Sequence, residues 1–226
     1  MILKCWIDYH MMDVVPPDDW SPALVVIDVQ NKFYHATEGL KESFDRCSDR
    51  LNRTIGMFRE VGRPIIFVCY EGPVEGLAFD CPDMDAIVDS VDFRPGDKAV
   101  WKSSMDCFHD SGLSRELEDS GCDSIVLSGM VAHLCVLSTY FSAYNMGFHP
   151  YMAKGTLAAT NQENVTHTEA ITATLDEGIL RGKLSRFMYG GQFDYKCRLR
   201  WGWHECVRCL QIGHRDRYVQ RSPPQG

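Results

Sequence analysis

Long apolar runs are missing from this chain of 226 residues. No stretch approaches the roughly 18 uninterrupted apolar residues that mark a membrane span, so no membrane partner is expected. The first twenty residues, MILKCWIDYHMMDVVPPDDW, are broken by Lys4, Asp8, His10 and Asp13 and lack the apolar block of a secretory signal. The expected location is therefore the cytoplasm. An excess of positive charge is missing too. The formal net charge is -8, which argues against a general nucleic-acid binder. No glycine-rich fingerprint follows the first apolar run, where the chain reads DVQNKFYHATEG, so a dinucleotide cofactor is a poor fit. Cysteine is not scarce, at ten residues. Their scattered spacing, in a chain too long to need covalent staples, suggests free thiols in a reducing compartment.

What is present is globular: 45% apolar and 24% charged residues. ALVVIDVQ (23–30) and PIIFVCY (64–70) are short, β-branched, continuous runs of the kind buried on both faces of a parallel sheet. Between them Leu40, Phe44, Leu51, Ile55 and Phe58 recur at helical spacing, and the helix is expected to stop at Gly62 and Pro64. Residues 71–97 are acidic, rich in glycine and proline, and aperiodic, which reads as a functional loop holding at most a helical turn. KAVWK (98–102) predicts a third strand, SGLSRELEDSG a short helix, DSIVLSG a fourth strand and residues 134–146 a helix. FHPYMAKG predicts a fifth strand, irregular or at an edge because of Pro150. NQENVTHTEAITATLDEG predicts one last helix and KLSRFMY a sixth strand. Strand alternating with helix predicts an open parallel α/β sheet covered on both faces.

Ligands of such sheets bind outside the carboxyl ends of the strands. Three residues with chemistry fall there: Asp28 after the first strand, Lys102 closing the third, and Cys135 after the fourth. An acid, a cation and a thiol can together make a nucleophile. At the first turn of a helix, free N–H groups and the helix dipole would favour a Cys135 thiolate and face a developing oxyanion. Taken singly, each has a plainer reading: a buried cysteine, a turn aspartate, a solvated lysine.

ALVVIDVQNKF, VWKSSMDCFHDSGLSREL and SGMVAHLCVLSTYFSAYNMGF resemble, in order and interval, three signature segments of the isochorismatase-like cysteine hydrolases, from about Ala23 to about Met188. The resemblance implies a Rossmann-like three-layer α/β/α sandwich with a mostly parallel six-stranded sheet. It implies an Asp28–Lys102–Cys135 catalytic triad. It also implies a cis peptide between Met130 and Val131, with the Val131 and Cys135 N–H groups as oxyanion hole. The implied reaction is hydrolysis of a C–N bond in a small amide, carbamoyl or ureido substrate through a thioester on Cys135, in a homo-oligomer such as a dimer or tetramer. Phe33, Tyr34 and His133 are candidate substrate contacts, although packing or structural hydrogen bonding would explain each as well. Nicotinamidases in this family carry a metal site built on an Asp-x-His motif and a further histidine. This chain reads VCYEGPVEG there, with no histidine between His35 and His109, so no metal or cofactor is expected. Isochorismatases proper cleave a vinyl ether, and several replace the cysteine by a small residue; Cys135 therefore favours the amidase branch. A catalytically silent member acting as a binding protein is the remaining alternative.

The resemblance assigns residues 1–190 to a hydrolase domain and leaves 191–226 as a tail. That tail carries 7 Lys/Arg against 3 Asp/Glu. Within it His204, Cys206, Cys209 and His214 invite a zinc reading, weakened by the lack of a second C-x-x-C.

Overall fold

A computed structural model describes residues 15–73 and 83–189 of the chain. The chain divides into two units, Met1–Met188 and Tyr189–Gly226. The cluster from His204 to His214 and residues 74–82 of the acidic loop lie outside the described residues.

Strand β1 (Pro22–Ile27) is buried along its whole length, as is β4 (Ser124–Met130). Two faces of apolar residues can be satisfied only where helices cover both sides of a sheet. The sheet has six strands in the order β3-β2-β1-β4-β5-β6, with β2 (Ile65–Tyr70), β3 (Lys98–Lys102), β5 (His149–Ala158) and β6 (Thr174–Leu175). Every pairing is parallel.

After β1 come a single turn, α1 (Asn31–Tyr34), and the long α2 (Glu38–Glu60). Thr37 caps α2 by accepting the Leu40 N–H at 3.1 Å. Its buried stripe includes Leu40, Phe44, Cys47, Leu51, Ile55 and Phe58. Gly62, at φ 66°, turns the chain out of the helix as expected. The remaining helices are α3 (Leu113–Asp119), α4 (Leu137–Asn145), α5 (Gln162–Ala170) and α6 (Glu177–Leu184). The crossover through α2 leads from β1 towards β2, whereas those through α3 and α4 lead the opposite way across the sheet. Right-handed connections therefore place α2 and the α3–α4 pair on opposite faces. The reversal falls between β1 and β4, making their carboxyl ends the topological switch point.

Two expectations need correction. The segment 161–178 is not one helix: α5 ends at Ala170, and Thr174–Leu175 supply the sixth strand before α6 begins. KLSRFMY is instead the end of α6 and a 3-10 turn, Ser185–Tyr189. The strand is only two residues long, too short to leave a periodic trace. Strand β5 is irregular, one of its two expected forms, and lies inside the sheet, not at an edge. Pro150 sits one residue after its start, and the irregularity comes later, at a register shift between Leu127 and Gly129 and at Gly155, φ 71°. Among the described residues 83–97 hold no helix.

Candidate active site

Asp28 is the first residue past β1 and has φ 53°. That is left-handed backbone, costly for a residue with a Cβ and retained mainly where surroundings fix it. Its N–H donates to the Val68 carbonyl at 2.8 Å, so β2 holds the turn. The opposite wall is equally constrained. A Cβ on Gly129, at φ 109°, would lie 2.2 Å from the Ile27 carbonyl oxygen, so β1 and β4 can approach only with glycine there.

Lys102 closes β3, two strands away, and sends its ammonium past β2 to Asp28. Nζ lies 2.8 Å from Asp28 Oδ2 and 3.0 Å from the Ser104 carbonyl. Both side chains of the pair are buried. The Tyr70 ring, at the end of β2 between them, packs under the same ammonium with its centroid 5.3 Å from Nζ. The second carboxylate oxygen, Asp28 Oδ1, is buried and accepts from no N–H or O–H among the described residues; besides Lys102, the Cys135 thiol is the side chain that hydrogen-bonds this carboxylate.

Cys135 completes the group from the β4 side. The sequence suggested a helix starting at the cysteine. Instead a π-helical turn spans Ala132–Val136, and α4 begins at Leu137. The Val131 carbonyl accepts from both Leu134 and Val136, the latter bond closing the wider turn. The peptide between Met130 and Val131 is cis. Cys135 is half-buried, and its thiol is electrostatically coupled to Asp28 and Lys102. Thr139 fixes the turn: its hydroxyl donates to the Cys135 carbonyl at 2.7 Å and accepts the Cys107 N–H at 3.1 Å.

These contacts set the protonation states. Burial and the charge of Asp28 push the Cys135 thiol up to about 12, against the opposing pull of Lys102. The resting sulfur is thus a thiol, not the thiolate that helix-terminal N–H groups suggested. Burial also raises Asp28, with Lys102 opposing that rise. For Lys102 burial works downward, but its interactions with Asp28, Cys107 and Cys135 outweigh it and leave its pKa raised. The arrangement is a buried Lys102–Asp28 pair beside a thiol that burial and Asp28 hold protonated.

Of the other candidates, His133 lies in the π-helical turn, half-buried, with Nδ1 buried and unpartnered among the described residues. Phe33 meets Tyr70 edge-to-face, centroids 5.9 Å apart, and so reaches the site through that ring. Tyr34 is committed to α2: its hydroxyl donates to Asp45 at 2.9 Å and its ring packs on Phe44.

Several residues that sequence reading did not single out build the site's floor. Gln30 is buried, accepts the Tyr70 N–H at 2.7 Å, and donates to the Tyr70 and Asp85 carbonyls at 3.1 and 3.0 Å. Lys32 is buried as well, donating to the Tyr70 and Gly72 carbonyls and pairing with Asp85. These two polar residues pin the end of β2 and the described end of the acidic loop to the switch point. Polar residues directly after a wholly apolar strand were the available signal.

Comparison with known proteins gives a consistent picture. The Isochorismatase domain profile matches residues 22–178. The chain is 27% identical over 174 residues to the secreted isochorismatase effector Isc1 of Verticillium dahliae, covering 75% of this chain and 90% of that one. It is 28% identical over 127 residues to a streptothricin hydrolase of Streptomyces noursei, covering 55% of this chain and 45% of that one. In structure it is similar to the N-carbamoylsarcosine amidase of Thermoplasma acidophilum, with TM-score 0.58 and 23% identity, covering 69% and 95% of the two chains.

Proposed function

Because this chain belongs to the isochorismatase family of hydrolases, we propose that it is a metal-independent cysteine hydrolase that cleaves a C–N bond of a small amide, carbamoyl or ureido compound. The observation that carries the reading is the buried Lys102–Asp28 pair, 2.8 Å long, coupled to the Cys135 thiol at the switch point. Relatives described as streptothricin hydrolase and nicotinamidase agree with the amidase branch.

In this mechanism Asp28 accepts the thiol proton on its open Oδ1 as the sulfur attacks the substrate carbonyl. The new C–S bond sends the carbonyl electron pair to oxygen, where the Val131 and Cys135 N–H groups hold the oxyanion. Collapse expels the amine, which takes the proton from Asp28. Water then attacks the thioester, yielding its proton to Asp28 and returning the thiol as the acid departs. Lys102 keeps Asp28 ionised between these transfers, which its raised pKa supports. Base assistance is required because a thiol pushed up to about 12 offers almost no thiolate near neutrality. His133 and Phe33 contact the substrate in this reading, whereas Tyr34 is held on α2 by Asp45 and Phe44.

The test is a panel of small amides and ureido acids assayed for released ammonia or amine. Wild-type protein turns over at least one of them, and Cys135→Ala loses roughly three orders of magnitude or more in kcat. A vinyl-ether hydrolase would behave differently: Cys135→Ala would keep most activity while Asp28→Ala would not. A silent binding protein would turn over nothing. The proposal also makes the enzyme a cytoplasmic homo-oligomer, to be checked by fractionation and light scattering. Among the described residues no helix is long and apolar enough to cross a membrane.

A further inference from the structure

A cavity of about 550 Å³ lies away from the Asp28 group, between α2, the second half of β5 and the start of α5. It shares no residue with the switch point. Three arginines of α2 line it, Arg46, Arg50 and Arg53, together with Asp49, Gly155 and Gln162. Spaced four and three apart, the arginines project from one helix face. A solvated stripe would have the same spacing, so the spacing alone decides nothing.

Three further observations do. The chain is acidic overall, at -8, yet it concentrates three guanidinium groups at one concavity. Among the described residues Arg46 has a loose, exposed acidic neighbour, Glu42 at 3.8 Å, and Arg53 makes a single solvent-accessible hydrogen bond to the half-buried Glu177 at 3.3 Å. Such pairs are worth little and exchange readily for a ligand's oxygens. Arg50 has no carboxylate partner and no side-chain hydrogen bond among the described residues, although a guanidinium carries five donors.

The backbone makes room for that unpaired group. Gly155 has φ 71°, and a Cβ there would stand 2.2 Å from Arg50 Nη1. The Arg50 head therefore lies across bare backbone inside the cavity. Gly155 itself is held by its N–H, which donates to Glu169 Oε1 at 2.7 Å. The buried walls Cys47, Leu157 and Val165 give an apolar floor below the charged rim.

We propose that this cavity binds a small oxyanion, a phosphate or carboxylate group carried on a small organic molecule, with Arg50 as the principal ligand and Arg46 and Arg53 closing on its sides. Arginine is suited to that task because its planar fork matches the two oxygens of such groups. The site is separate from the hydrolytic chemistry and does not depend on it.

Isothermal titration at matched ionic strength tests the proposal, with inorganic phosphate and acetate as separate probes. Wild-type protein binds at least one probe, and Arg50→Gln weakens that binding tenfold or more. Arg46→Gln and Arg53→Gln weaken it by smaller factors. All three positions are exposed, so the variants are expected to fold, and circular dichroism confirms it. The phosphate and acetate arms separate a phosphoryl site from a carboxylate site. Binding within twofold of wild type in Arg50→Gln overturns the proposal, as does absence of wild-type binding for both probes up to about 10 mM.

Discussion

Replacing Lys102 by methionine removes one ammonium from a place where no water can take over. Its partner Asp28 is buried, and among the described residues Lys102 is the one cation that hydrogen-bonds its carboxylate. The variant strands a carboxylate in apolar surroundings, a loss of about 3–5 kcal/mol for breaking a buried pair from one side. For a domain of this size that corresponds to a fall in Tm of roughly 6–20 °C at neutral pH. The sign of the pH dependence follows from Asp28. Burial already raises its pKa above 3.8, and Lys102 is the main force opposing that rise. Without Lys102 the folded-state value climbs further. Between the unfolded value and this higher one, the folded variant holds a proton that the unfolded chain has released. Its stability therefore falls as pH rises through that window. The deficit relative to wild type should be small at acid pH, where Asp28 is protonated in both proteins, and should grow as pH rises. Thermal melts of wild type, Lys102→Met, Asp28→Asn and the double variant across that window measure it. The double variant should lose less than the sum of the singles, because the stranded charge is gone. A Lys102→Met melt within about 2 °C of wild type, with an offset independent of pH, would refute the reasoning.

Asp28→Asn should separate two properties that a simple inactivation would move together. Removing the negative charge that helps hold the Cys135 thiol up near 12 lowers its pKa, so iodoacetamide should label Cys135 faster at a given pH. Hydrolysis should meanwhile fall about 100-fold or more, because the base is lost; slower labelling in this variant would contradict the electrostatic account. Gly129→Ala meets the Ile27 carbonyl at 2.2 Å from backbone already at φ 109°. It should cost at least about 2 kcal/mol or abolish soluble expression, and a melt matching wild type would show that β1 and β4 can separate without loss.

Strand runs such as ALVVI and IIFVC were legible because both faces of a parallel sheet are buried, which leaves continuous apolar stretches in the sequence. The carboxyl-end rule then pointed to Asp28, Lys102 and Cys135, and the fold does bring them together. What stayed hidden depends on other segments of the chain. Tyr70 lies under the Lys102 ammonium only because β2 sits between β1 and β3. Gln30 and Lys32 are buried only because residues 83–87 fold back over them. Sulfur protonation was misread for the same reason. A dipole argument is local, whereas the burial and the neighbouring carboxylate that raise the thiol are supplied by distant strands. The two-residue β6 is held in place by its pairing with Met152 and Ala153, with no pattern of its own.

The central claim is that Cys135 forms a covalent acyl bond during turnover. Acid quenching of wild-type protein with a hydrolysed amide, followed by peptide mass mapping, measures that bond directly. The account predicts a hydroxylamine-sensitive adduct of the acyl mass on Cys135 alone among the ten cysteines, absent from Cys135→Ala. Turnover that proceeds with no adduct on Cys135, or an unchanged rate in Cys135→Ala, would contradict it.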